Sequence, residues 1–210
     1  MNRFHVLLFV SSLFFSSCQS PTSETPQHRA QTTFFEALSS YCGQAFEGRV
    51  ISSQEVDDDW RKETLVMHVA ECSEDEIRIP LSVGDDRSRT WVVGWHAGNL
   101  RLKHIHRHKD GTLDDVTWYG GNANAKTAMW NDDPAMGVGG RIDFPVDDES
   151  KANFLDNDLD VSVNNTWSLG LMKDITFTYG LSRPEDVDGR DFRAAFDLQN
   201  PVPVPDGDHW

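Results

Sequence analysis

The chain has 210 residues, 34 acidic against 19 basic, and a formal charge of -15. That imbalance disfavours two function classes, nucleic-acid binding by phosphate neutralisation and docking to anionic lipid through a basic patch. No stretch after the first residues is long and apolar enough to cross a membrane, and the length suits one domain of about 175 residues with its own core.

Residues 1–17 read as an export signal: Arg3 gives the positive start, Val6 to Phe15 the apolar stretch, and Ser16-Ser17-Cys18 a small-residue cleavage site. Because that site ends in cysteine, the segment resembles a bacterial lipoprotein signal, which implies that Cys18 becomes the lipidated first residue of the mature chain. Removing residues 1–17 deletes only Arg3 and leaves a charge of -16. Residues 18–32 are polar with two prolines and read as a flexible tether, so the folded domain is expected over 33–210. With Cys18 assigned to the anchor, Cys42 and Cys72 remain as one pair. An oxidising compartment lets them bond, provided the side chains meet, and the closed loop would stabilise the fold by about 3–4 kcal/mol.

The spacing predicts two short helices. TTFFEALSSYC (32–42) sets Phe34, Phe35, Leu38 and Tyr41 on one face with Gly43 as the stop, and DDESKANFLD (147–156) opens with acids. Elsewhere the period is two. Leu65, Met67 and Val69 share a face, as do Ile77, Ile79, Leu81 and Val83. The same alternation runs through Trp167, Leu169 and Leu171, through Ile175, Phe177, Tyr179 and Leu181, and through Phe192, Ala194, Phe196 and Leu198. Turn residues at 73–75, 84–86, 97–99, 110–111, 173–174 and 188–189 separate the runs. The expected fold is all-β, an up-and-down antiparallel barrel of roughly eight to ten strands, with a sandwich as the alternative.

A helix, then Gly43-Gln44-Ala45-Phe46-Glu47-Gly48, then a meander resembles the calycin superfamily, which implies a lipocalin-like barrel. ECSEDEIRIPLSVGDDRSRTW (71–91), LRLKHIHRHKDGT (100–112), TWYGG (117–121), DFP (143–145) and FRAAFDL (192–198) resemble a family of uncharacterised exported bacterial proteins. That resemblance implies export and carries no activity. It also implies an acidic residue between the first two histidines, where this chain has Ile105.

In a strand, Leu100, Leu102, His104, His106 and His108 share one face, expected to point inward, while Arg101, Lys103, Ile105 and Arg107 share the other. A two-residue Asp110-Gly111 turn would set His106 opposite Asp115, His104 opposite Thr117 and Leu102 opposite Tyr119. A three-residue loop would instead set His108 opposite Asp114. Strand neighbours two apart lie about 6.5–7 Å from each other, so His104 and His108 are too distant to share one tetrahedral ion. A metal would therefore need His104 and His106, or His106 and His108, with Asp115, Asp114 or His96 as the further ligand. Arg87 and Arg89 sit between acids and would either grip a carboxylate or phosphate or pair with Asp85 and Asp86.

Other patterns end early. Asp156-x-Asp158-x-Asp160 starts like a calcium loop, but Val161 stands where that loop needs Gly and Trp167 where it needs Glu. No nucleophile elbow, phosphate loop or dinucleotide fingerprint appears, and no cofactor is expected. Three readings follow: a lipid-anchored envelope barrel binding a small or lipid-like molecule, a metal-assisted or His-Asp hydrolase at the barrel mouth, and a ligand-free structural or assembly protein. The ligand wall expected for the first comprises His104, His106, Asp115, Thr117, Tyr119, Arg87 and Arg89. Membrane contact would come through the lipid anchor alone.

Overall fold

A computed structural model describes residues 25–124 and 126–206. The expected signal segment and Cys18 lie outside the described residues. No helix among the described residues is long and apolar enough to cross a membrane.

Helix α1 runs Pro26–Ser39, so the fold begins before Thr33 and the C-terminal part of the expected tether is helical. The physical reason is the helix start. Thr25 caps it by accepting from the His28 amide at 3.2 Å, and Pro26 occupies the first turn, where a proline costs no hydrogen bond. Gln31 anchors this part to the domain: its Oε1 accepts from the Leu100 amide at 2.7 Å.

The strands are β1 (Ala45–Val50), β2 (Leu65–His68), β3 (Glu71–Cys72), β4 (Glu76–Val83), β5 (Asp86–His96) and β6 (Asn99–His106). They continue with β7 (Tyr119–Asn122), β8 (Met129–Asn131), β9 (Gly139–Pro145), β10 (Thr166–Met172), β11 (Thr176–Ser182) and β12 (Asp191–Val202). A second helix, α2 (Asp58–Lys62), follows a 3-10 turn at Glu55–Asp57, and α3 (Asp148–Asp156) matches the expected internal helix. Another 3-10 turn, Asp160–Asn164, leads into β10.

The fold is all-β and barrel-like. The sheet order is β7-β6-β5-β4-β2-β1-β12-β11-β10-β9-β8, with β3 on β4, and all the strand pairings described are antiparallel. That makes twelve strands, more than expected, because β3 and β8 are too short to show alternation. The sheet curls so that β7, one end of it, comes against β9. Asn124 N donates to Asp143 O at 2.7 Å and Asp147 N to Gly120 O at 3.0 Å, joining the β7 edge to β9. Gly121 permits this approach, since a Cβ there would lie 1.8 Å from the Pro145 carbonyl oxygen.

Helix α1 covers the end of the curl where β5 turns into β6. Phe35 meets Trp95 with ring centroids 5.8 Å apart, Phe34 meets Trp130 at 6.4 Å, and Tyr41 accepts from the Asp174 amide at 2.7 Å. The Cys42–Cys72 disulfide is formed, with Cα atoms 6.2 Å apart, and fastens the chain after α1 to β3. Between the two ends the interior is solid, filled by Phe46, Phe177, Phe196, Leu102, Val93 and Leu169 among others.

The histidine hairpin departs from both expected registers. His104 pairs with Tyr119 and Leu102 with Gly121, while Arg107 bridges to Leu113. Asp110 and Gly111 do sit in the tip, but the loop holds three residues, 109–111: His108 N donates to Thr112 O at 2.9 Å and Asp110 Oδ1 accepts from Thr112 N at 3.0 Å. After it the returning chain bulges. Asp114 Oδ1 accepts from Val116 N at 2.8 Å and Trp118 takes a φ of 55°, which advances the register before β7 begins.

Candidate functional site

At the end of the curl opposite α1, a cavity of about 450 Å³ opens above the packed interior. Its floor and walls follow from the period of two: Trp91 on β5, His104 and His106 on β6, Tyr119 on β7, Trp167 on β10, Tyr179 on β11 and Phe192 on β12 face inward. Tyr179 stacks on Trp91 with centroids 4.4 Å apart and planes 10° off parallel. His104 stacks on Tyr119 at 4.8 Å and 11°. The mouth is built by other segments: Trp60 from α2, Phe154 from α3, Leu159 and Ser162 from the turn after it, and Arg183 and Arg190 flanking the β11–β12 connection.

Hydrogen bonding assigns His104 its tautomer. Its Nδ1 lies 3.1 Å from the Tyr119 carbonyl oxygen, which only accepts, so Nδ1 carries the proton. Nε2 then accepts from the Tyr179 hydroxyl at 2.9 Å, and no lone pair is left for a metal. Burial holds the His104 pKa down at about 3, against a hydrogen bond to the Tyr119 backbone that favours the cation. His106 Nε2 is hydrogen-bonded to the Tyr119 hydroxyl across 2.9 Å, and the His106 pKa is lowered to about 4, first by burial and then by the Arg89 charge. Burial pushes both phenols, Tyr119 and Tyr179, well above the usual tyrosine range. At neutral pH the floor is therefore uncharged.

Charge is confined to the rim. Arg190 forms a two-pronged pair with Asp57, whose side chain is 2% exposed, and also donates to Gln54 Oε1 at 2.8 Å. Arg183 grips Asp188 and Asn165 with distances of 2.6 to 3.0 Å. Arg89 pairs with Asp86 and lays its guanidinium 5.0 Å above the Trp60 ring.

Of the expected ligand wall, the structure brings His104, His106, Tyr119 and Arg89 together in the cavity. Asp115 is a correction. The bulge turns its side chain to solvent outside the cavity, and its carbonyl accepts from Asn153 Nδ2 at 2.9 Å. Thr117 is not on the wall either; its Oγ1 accepts from the His106 amide at 2.9 Å and replaces a ladder bond. Arg87 lies outside and donates to Ser82 Oγ at 3.1 Å. His108 is exposed. The set His104, His106, Asp115 is thus not assembled, and among the described residues no three His, Cys, Asp or Glu side chains are grouped to hold a metal ion. Ile105, where the family resemblance implies an acid, is buried at 9% exposure.

Lys103 lies on the face of β6 opposite His104, as the alternation placed it, and that face is covered. Lys103 is 1% exposed, because α3 lies across that face and supplies Asp147, Glu149 and Ser150 around its ammonium. Trp60, Trp91, Trp167, Tyr179, Arg183 and Arg190 are cavity residues that sequence reasoning did not assign, although the inward alternation of β10 to β12 already placed Trp167 and Tyr179 on one side. No family model, curated protein or solved structure matches the chain.

Proposed function

We propose that this protein is a lipocalin-like binding barrel, closed at one end by α1 and holding a small, largely apolar molecule at the other. The cavity carries the reading: about 450 Å³ falls within the roughly 300–1,000 Å³ typical of small-molecule sites, and aromatic rings with a few polar edges line it. The neutral imidazole and phenol groups at its floor orient a ligand without demanding a charged one there. Neither hydrolase chemistry nor metal binding gains support, since Asp115 faces solvent and among the described residues no three His, Cys, Asp or Glu side chains are grouped to hold an ion.

The neutral probe N-phenyl-1-naphthylamine should bind with one-to-one saturation, raising its emission and quenching tryptophan fluorescence. Trp60→Ala should weaken it about fivefold to tenfold through lost stacking area at the mouth, with a lower melting temperature from the lost contact with Phe192 but a folded protein at about 25 °C. Absence of saturable binding to the wild-type protein would leave the ligand-free structural role.

The reading includes a place in the cell, a bacterial envelope anchored through lipidated Cys18. Globomycin, which blocks lipoprotein signal cleavage, should cause a precursor to accumulate, and Cys18→Ser should release the domain from membranes. Gln19 is not the aspartate that resembles an inner-membrane retention signal, which favours the outer membrane. Normal processing under globomycin together with soluble wild-type protein would defeat the anchor.

A further inference from the structure

The chain carries a formal charge of -15, yet the side chains lining the cavity include three guanidiniums and one carboxylate, Asp57. These arginines differ in what they have left to offer. Arg190 is occupied by Asp57 and Gln54, and all three nitrogens of Arg183 are held by Asp188 and Asn165. Arg89 is not saturated. Its bonds to Asp86 and to Ser88 Oγ both use Nη1, so Nε and Nη2 have no protein acceptor among the described residues. Its position over Trp60 fixes the guanidinium plane at the mouth, and its charge reaches inward, adding to the depression of the His106 pKa.

The remaining wall is dominated by flat rings. Trp60 stands at the mouth, Trp91 and Tyr179 form a parallel stack at the floor, and Tyr119 with Trp167 closes one side at 5.8 Å. Flat rings favour a rigid planar body, which stacks over its whole face and loses little conformational entropy on binding. A guanidinium with two unused donors favours a planar oxyanion, because both fit one fork geometry.

We propose that the cavity takes a planar aromatic carboxylate, with the acid group on Arg89 and the ring body against Trp60 and the Trp91–Tyr179 stack. This inference rests on the cavity being a ligand site. The hydroxyls of Tyr119 and Tyr179 beneath, each already bonded to a histidine nitrogen, keep acceptor capacity for ring substituents and do not have to ionise to use it.

Displacement of N-phenyl-1-naphthylamine from the wild-type protein tests it with three isosteric probes: 2-naphthoate, 2-naphthalenemethanol and 2-naphthylmethylamine, with decanoate as a flexible carboxylate. The naphthoate should displace the dye at about one tenth the concentration of the alcohol or less, the amine should be weakest, and decanoate should fall behind naphthoate. In Arg89→Gln the naphthoate advantage should disappear while alcohol affinity stays within about twofold, which also reports that the cavity is intact. Should that variant fail to fold, the wild-type series decides alone. Equal affinity of naphthoate and alcohol, or a preference for the amine, overturns the role of Arg89. Tighter binding of decanoate overturns the planar body. In each of those cases the dye still binds and the binding-barrel reading stands; failure of the dye itself removes both.

Discussion

Acidification from pH 7 to pH 5 should destabilise the domain by about 3 kcal/mol, well before its carboxylates begin to protonate. The cause is the pair of buried imidazoles at the cavity floor. In the unfolded chain each takes up a proton near pH 6.5, whereas in the folded protein His104 resists to about 3 and His106 to about 4. The unfolded state therefore binds more protons throughout that window, and stability, complete above pH 6.5, is lost as pH falls below it. Each histidine contributes a slope approaching 1.4 kcal/mol per pH unit, or about 2 kcal/mol by pH 5, with His106 counted at less because part of its ring meets solvent.

The groups around the pair explain why neither titrates early. Lys103 and Arg89 add positive charge near His104 and His106 respectively, while Asp86 and Asp114 only partly offset burial at His106. His68, half-buried and also lowered by burial, adds to the same pH window, so a difference measurement is needed. Urea midpoints from pH 7.5 to 4.5 should fall steeply for wild type and less steeply for His104→Gln, whatever that variant loses at pH 7. A wild-type midpoint that stays constant from pH 7 to 5 would falsify the neutral, buried assignment of both rings.

Much of this architecture was legible where local chemistry decides it. The inward alternation of β4 and β10 to β12 came directly from period two, except that Ile175 lies in the turn before β11 and is exposed, and α3 came from the acids at its start. The failures share a cause, a partner distant in sequence. Lys103 sits at an outward position of β6, and only α3 crossing that face, more than forty residues later, buries it. Pro26 looked like part of a tether because Gln31 finds its anchor at Leu100. The hairpin register slipped for a local reason that is hard to read: Trp118 at positive φ is a conformation its side chain does not favour, and nothing in Asp-Asp-Val-Thr-Trp announces it. The cavity mouth was least legible, since α2, the turn after α3 and the loop before β12 meet only through curling of the sheet.

Asp147→Ala should be among the most damaging single substitutions on the outside of the sheet, at about 3–5 kcal/mol. One carboxylate oxygen accepts from the Lys103 ammonium at 2.8 Å; the other caps α3, accepting from Ser150 N at 2.9 Å and from Ser150 Oγ at 2.6 Å. Ser150 Oγ in turn accepts from Gly120 N at 2.7 Å, tying the helix start to β7 beside the seam. Removing Asp147 leaves a 1% exposed ammonium with Glu149, which is 63% exposed, as its remaining acid. Leaving the buried ammonium with one exposed acid costs part of the roughly 3–5 kcal/mol of an unpaired buried charge, and loss of the cap adds about 1 kcal/mol, for the total given above. Lys103→Met should cost much less, about 1–2 kcal/mol, because the stem still fills its site and the two acids lie toward solvent.

The double variant then decides the mechanism. If the buried ammonium is the source of the damage, Lys103→Met combined with Asp147→Ala should be more stable than Asp147→Ala alone, by about 1–3 kcal/mol in urea unfolding. Simple addition of the two single losses would mean that the cap and the Ser150 bonds, not the ion pair, hold α3 in place. The consequence reaches the cavity, because Phe154 on the same helix packs against Tyr119 with centroids 5.2 Å apart and lines the ligand wall. Asp147→Ala should therefore weaken dye binding even under conditions where most of the protein is folded, and the double variant should recover part of it.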